Sequence, residues 1–188
     1  MSVTLPGPRL VLVTGLPGTG KSTMADAAAA ELGAAVLGHD WAMSGLRPFP
    51  EMQETLDTMG RRGHRGVGWS ILWALARSEL RRGRPVVLDG VARAPEVAGT
   101  RALAREEGVP SLVVFTECSV AETQRDRIDG RQRGIPGWYE LEWDHVAQAR
   151  SEWDPLDDVD VTLDAVAPLG DNVGVLGDVL GRWCQPGA

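Results

Sequence analysis

Short apolar runs alternate along the chain with longer stretches in which apolar positions recur at helical spacing. The runs Arg9–Thr14, Ala34–Gly38, Pro85–Gly90, Ser111–Thr116 and Val159–Asp164 predict five strands. The first and third are apolar enough to be buried strands, and the last shows alternation. Between them the spacing predicts helices over Thr23–Leu32, Val67–Arg82, Pro95–Glu107, Val120–Ile128, Trp138–Trp153 and Asn172–Trp183. Gly33, Gly83 and Gly108 stand where three of these should stop. Residues 42–66 carry no such pattern beyond a short helix from Glu51 to Met59, and Gly130–Gly137 reads as a basic, flexible loop. Strands alternating with helices imply an α/β domain with a mostly parallel sheet covered on both faces. Ligands of such sheets sit beyond the carboxyl ends of the strands. Thr14, Asp40, Asp89 and Cys118 are all expected there.

The turn after the first strand is the informative stretch. Gly15-Leu16-Pro17-Gly18-Thr19-Gly20-Lys21-Ser22 fits G-x-x-x-x-G-K-[ST], with a strand before it and an alanine-rich helix after it. Glycines let successive backbone N–H groups converge on phosphate oxygens, and the following helix adds its free N–H groups and dipole. A glycine-rich turn that merely contains a lysine would not need both flanking elements. Gly15, Pro17, Gly18, Thr19, Gly20, Lys21, Ser22 and Thr23 are therefore the expected nucleotide contacts. Lys21 is placed at the β- and γ-phosphates, and Ser22 on Mg²⁺ together with Asp89, the acid closing the third strand. ATP and Mg²⁺ follow as the expected cofactors.

Composition narrows the setting. The chain has 188 residues, 43% of them apolar and 24% charged, which suits one domain over residues 1–188. A formal charge of −7 argues against a general nucleic-acid surface. Two cysteines, Cys118 and Cys184, are too few for a disulfide framework and read as reduced thiols. Met1–Pro6 lacks a basic segment followed by an apolar one, and no apolar run reaches the about eighteen residues of a membrane span. A cytoplasmic protein without a membrane partner is expected, as a monomer or a homodimer.

Phosphoryl transfer needs positioning and charge stabilisation more than covalent help. Asp40, at the predicted end of the second strand beside Trp41, can orient a substrate hydroxyl and take its proton. His39 is the competing base, and helix capping by Asp40 is the competing structural role. Arg125, Arg127, Arg131 and Arg133, interleaved with Gly130, Gly134 and Gly137, point to a lid over residues 128–140. Arg127 and Arg131 share a face if the helix continues that far. Residues 42–66 are expected on the acceptor side. There Arg61, Arg62, His64 and Arg65 form either an anion receptor or a solvated cluster, and Phe49, Trp41 and Trp69 either an apolar wall or core packing. Arg93, past the third strand, could touch phosphate or acceptor. Trp41, Arg93, Arg61 and Arg65 are the candidate acceptor contacts.

Taken together, Gly15–Thr23, His39-Asp40, Val87-Leu88-Asp89-Gly90, and Cys118-Ser119 followed by Arg127 and Arg131 resemble the small P-loop kinases. Within them the set resembles the zeta-toxin-like and chloramphenicol-phosphotransferase-like branch, which takes in polynucleotide-kinase-like domains. Ser151–Leu156, Val161–Asp164 and Asn172-Val173 add to the likeness. The resemblance implies a single P-loop NTPase domain with a five-stranded parallel sheet of order 2-3-1-4-5. It also implies a catalytic Asp40, lid arginines Arg127 and Arg131, and an adenine pocket near Ala165–Asp171. The expected activity is ATP- and Mg²⁺-dependent transfer of the γ-phosphoryl group to a hydroxyl of a small molecule, such as a metabolite, an antibiotic or a nucleoside-type compound. The alternatives are a regulatory P-loop NTPase acting as a nucleotide-binding switch, or a kinase for nucleotide sugars or polynucleotide ends.

Overall fold

The computed structural model describes residues 7–183, so Met1–Pro6 and the Cys184 thiol lie outside the described residues. Five parallel strands form one sheet in the order β2-β3-β1-β4-β5: β1 (Leu10–Gly15), β2 (Ala35–Gly38), β3 (Val86–Asp89), β4 (Ser111–Glu117) and β5 (Val161–Asp164). The alternation of side chains along each strand divides the apolar runs between two cores. Leu10, Leu12, Val86, Leu88 and Val113 face one side, where α3 (Pro50–Arg81) and α4 (Ala94–Glu106) bring Trp69, Leu72, Leu80, Val97 and Leu103. Val11, Val13, Val87, Leu112 and Val114 face the other, against Met24, Ala25 and Leu32 of α1 (Lys21–Leu32) and Leu176 and Leu180 of α7 (Leu169–Trp183). Every residue of β1 is buried. Each such Val or Leu contributes about 1.5–3 kcal/mol by leaving water. The central strand is thus held on both faces, and its carboxyl end presents the turn at Gly15.

Two segments differ from the expectation. Residues 42–66 are helical for most of their length, as the end of α2 (His39–Ser44), a short connection, and the first half of α3. The non-helical residue is Gly60 (φ 65, ψ −178), where the helix changes direction. Glycine is the residue that adopts this backbone without strain. Gly66, where a Cβ would meet nothing, costs about 1 kcal/mol relative to alanine in a helix, whereas a Cβ on Gly63 or Gly68 would crowd Met59 or His39. Packing overrides that cost, since the second half of α3 buries Trp69, Leu72, Ala76 and Leu80.

The helix predicted over Trp138–Trp153 is shorter, α6 running from Trp143 to Ser151. The carboxylate of Glu140 accepts from the Arg133 backbone N–H (3.0 Å) and from its guanidinium (3.3 Å), which pulls the preceding residues out of helix. The α5 helix (Ala121–Ile128) ends at Asp129 in an extended conformation, so Arg127 and Arg131 do not share a helical face.

Candidate active site

At the end of β1 the chain turns through Gly15 with φ 146, where a Cβ would lie 2.0 Å from the Thr116 carbonyl oxygen of neighbouring β4. Only glycine can pass here. Gly20, with φ 85, is the N-cap of α1 and uses no side chain, which leaves the first N–H groups of that helix directed into the loop. Thr19 Oγ1 donates to Leu16 O (2.7 Å) and stands 2.7 Å from the Thr116 hydroxyl, tying the loop to β4. Lys21 Nζ donates to Leu16 O (3.2 Å) across the loop, so its ammonium lies over the ring of amides. Burial lowers the Lys21 pKa, opposed by the nearby carboxylates of Asp89 and Asp40. The loop therefore holds a half-buried cation beside the free N–H groups at the start of α1, which together suit an anion.

Ser22 Oγ donates to Asp89 Oδ2 (2.8 Å), while Asp89 Oδ1 is buried without a hydrogen-bond partner. Burial raises the Asp89 pKa, against the pull of Lys21 and the Ser22 hydroxyl. A buried carboxylate oxygen without a partner costs roughly 1–3 kcal/mol or more, and a cation beside it removes that cost. One hydroxyl and one carboxylate also suit Mg²⁺, which keeps most of its water and is completed by phosphate oxygens rather than enclosed by protein. Among the described residues no group of three or more His, Cys, Asp or Glu could enclose a metal. Ser22 and Asp89 thus fit the ion that the loop implies.

Asp40 lies in the first turn of α2 rather than at the end of β2, and the N-cap of that helix is Gly38, so Asp40 does not cap it. Its Oδ2 accepts from Arg133 Nη1 (2.6 Å), and its Oδ1 stands 3.4 Å from His39 Nδ1. Burial alone would raise its pKa. The bonds from His39 and Arg133, with Lys21 nearby, outweigh burial and hold the carboxyl below its usual range. The remaining His39 nitrogen, Nε2, stands 3.3 Å from Arg65 O, and the ring packs on Trp69 with centroids 5.8 Å apart. His39 therefore orients Asp40 rather than standing free as a base.

Two chambers open from the loop. One, of about 380 Å³, runs from Gly18–Met24 to Ala165, Ala167, Leu169 and Asn172, with Arg127 and Arg131 on its wall. Arg127 Nη2 donates to Ala165 O (2.7 Å) and Asn172 Nδ2 to Asp164 O (2.8 Å), shaping the end away from the loop. The other, of about 440 Å³, is lined by Asp40, Trp41, Asp89, Arg131 and Arg133. Lys21, Ser22 and Arg131 line both chambers.

The remaining candidates lie elsewhere. Arg61 is exposed on α3 and lines neither chamber. Arg65 pairs with Glu96 (3.0 Å), and it reaches Asp40 only through its carbonyl and His39. Arg93 is the N-cap of α4, its guanidinium donating to Glu152 O (2.7 Å) and lying over the Trp153 ring (5.4 Å). Trp69 is fully buried in the core, apart from the exposed Trp41 and Phe49. Sequence reasoning noted Arg133 only as one arginine of the basic loop and passed over Gln124 and Arg150, which stand behind the phosphate loop. Their signal, polar side chains buried by contacts distant in sequence, appears only in three dimensions.

A family model described as an AAA domain matches residues 10–151. No curated protein matches the sequence. Among solved structures, a gluconokinase from Sinorhizobium meliloti 1021 superposes with a TM-score of 0.65 at 20% identity, covering 96% of this chain and 94% of that one. The Mycobacterium tuberculosis APS kinase in complex with AMPPNP and APS gives a TM-score of 0.64 at 19% identity, covering 94% and 99%. Shikimate kinase from Bacteroides thetaiotaomicron gives 0.60 at 21%, covering 93% and 99%. At these identities the likeness is one of fold, the P-loop kinase fold.

Proposed function

Because the chain belongs to the AAA domain family through residues 10–151, we propose that it is an ATP- and Mg²⁺-dependent phosphotransferase acting on a hydroxyl of a small molecule. One observation carries this: two chambers meet at Lys21, Ser22 and Arg131, and the second holds an ionised, oriented carboxylate. A nucleotide switch needs the first chamber alone. The loop amides and Lys21 bind the β- and γ-phosphates, with the base of the nucleotide toward Ala165–Asp171. Ser22 and Asp89 would hold Mg²⁺, which when bound would neutralise phosphate charge. Asp40 accepts a hydrogen bond from the acceptor hydroxyl, which displaces Arg133 from Oδ2, and takes its proton as the new P–O bond forms and the γ-phosphorus parts from the β–γ bridging oxygen, releasing ADP. Arg131, which lines both chambers, neutralises charge on the transferring group, Arg127 is held at the Ala165 end of the first chamber, and residues 128–140 serve as the lid. Trp41 offers an exposed ring to the acceptor.

His39-Asp40 with Arg127 and Arg131 supports placing the chain in the zeta-toxin-like, chloramphenicol-phosphotransferase-like and polynucleotide-kinase-like branch. The buried Cys118 thiol is in keeping with a cytoplasmic setting. Asp40→Asn tests the assignment of the base. Binding of Mg-ATP, read by thermal shift, should stay at the wild-type level, while transfer to an acceptor found by screening falls by about 10²-fold or more. Normal turnover in that variant would remove Asp40 from the chemistry.

A further inference from the structure

Behind the phosphate loop lies a polar relay, buried at Gln124 and half-buried at Arg150, that the proposed chemistry does not use. Gln124, on α5, is fully buried, and both ends of its amide are engaged. Its Nε2 donates to Pro17 O (2.7 Å), inside the phosphate loop. Its Oε1 accepts from Arg150 Nη1 (2.6 Å), on α6, and the same Arg150 nitrogen donates to Cys118 O (3.1 Å) at the end of β4. The contact is close: a Cβ on Gly18 would come within 3.1 Å of Gln124 Cγ and 3.2 Å of its carbonyl. The helices bearing the two side chains flank residues 129–142, the arginine-bearing segment.

We propose that Gln124 and Arg150 are positioning residues that hold Pro17–Gly18 in the geometry receiving phosphate, and that they couple this geometry to α6. The physical reasons are two. The Pro17 carbonyl must point away from the phosphates, because a carbonyl oxygen turned toward a polyanion would be repelled; the Gln124 amide fixes it on the far side. Pro17 O, an acceptor only, selects the NH₂ end of the buried amide, and the charge-assisted bond from Arg150 holds the other end. Without Arg150, Oε1 loses its donor and the amide is held at one end only, so its grip on Pro17 loosens.

The proposal rests on the reading that the loop binds a nucleotide, and the experiment separates the two. Mg-AMPPNP affinity is measured by titration on folded wild type, Gln124→Glu, Gln124→Met, Arg150→Met, Arg150→Lys and the Gln124→Met/Arg150→Met double variant. Melting of the nucleotide-free proteins is recorded alongside. Gln124→Glu keeps the partner of Arg150 and loses the donor to Pro17, so it should fold yet bind at least tenfold more weakly. Arg150→Met and Gln124→Met should weaken binding to a similar extent, and the double variant no further than the stronger single one, as members of one unit do. Arg150→Lys, which retains a donor, should recover part of the affinity. If the variants lower only the melting temperature and bind as wild type does, or if the two Met effects multiply, the relay is packing and the proposal is overturned. Should Gln124→Met or Arg150→Met fail to fold, Gln124→Glu and Arg150→Lys decide the matter by themselves. Failure of the wild type itself to bind Mg-AMPPNP sinks the nucleotide reading instead.

Discussion

Asp40 and Asp89 are both carboxylates beside Lys21, yet their environments move them in opposite directions. Asp40 accepts from two cationic or donor side chains and stays below the usual carboxylate range, while burial pushes Asp89 up. The consequence is a pH dependence with a definite sign. As pH falls toward the raised pKa of Asp89, that group takes a proton before an ordinary aspartate would, and its hold on a cation weakens. In the same window the native state binds a proton that the unfolded chain does not, so this residue's contribution to the stability of the nucleotide-free protein rises as pH falls. Asp40 contributes oppositely, its stabilisation being lost only as pH drops through its lowered pKa. The extra thermal shift that Mg²⁺ adds to ATP should therefore shrink as pH is lowered, before Asp40 loses its charge. In Asp89→Asn that extra shift should be small at every pH. A Mg²⁺ increment as large in Asp89→Asn as in the wild type would mean that Asp89 is not the metal's carboxylate.

At the scale of elements, the site depends on how closely α3 approaches α2. A Cβ on Gly68 would lie 2.2 Å from His39 Nε2, and one on Gly90 would lie 2.9 Å from His39 Cβ. The glycines make a slot for the imidazole, and the imidazole orients Asp40. Gly68→Ala, which on an exposed helix would stabilise, should here cost about 1–3 kcal/mol through overpacking. It should also lower phosphoryl transfer while leaving nucleotide affinity unchanged, because the phosphate loop hangs from β1 and not from α3. Melting temperature, Mg-ATP affinity and turnover of the one variant together check this. Stability unchanged from wild type would show that His39 has room to move. The expectation of an irregular 42–66 failed for a related reason. Arg61–Gly66 is poor in apolar positions and rich in glycine, so no periodicity marks it. It becomes helical as the continuation of the buried stretch that follows.

For the whole molecule, the parts of the site are drawn from the entire sheet: the loop after β1, Asp40 after β2, Asp89 at the end of β3, and the arginines that follow β4. Binding at their junction ties these elements together. Mg-ATP at a concentration of about 100 times its dissociation constant should stabilise the fold by about 2.7 kcal/mol. For a chain of this size that amounts to roughly 5–10 °C in melting temperature. Lys21→Met removes the ammonium but keeps a similar stem. It should abolish most of this shift and leave the nucleotide-free protein folded, since burial already lowers the lysine's pKa. An undiminished shift in Lys21→Met would separate the stabilisation from the phosphate loop. Among the described residues no helix is long and apolar enough to cross a membrane.

How far sequence reasoning reached depends on the range of the interaction involved. The strands, the parallel sheet and the phosphate loop were legible because each is encoded within a few neighbouring residues: apolar runs that must be buried, and glycines where backbone must pass without a Cβ. The order of the strands came through resemblance rather than pattern. The partners of Asp40, 93 positions away at Arg133, and the clasp of Gln124 on Pro17, 107 positions away, left no local trace. Arg65 and Arg93 read as free cations in the sequence and are spent on Glu96 and on Glu152 with Trp153 in the fold. Local sequence decides what a segment can become, because propensity and periodicity act over one or two turns. Which polar groups meet, and so which carboxylate is ionised and which oxygen is left without a partner, is decided only when burial has removed the water that would otherwise satisfy them.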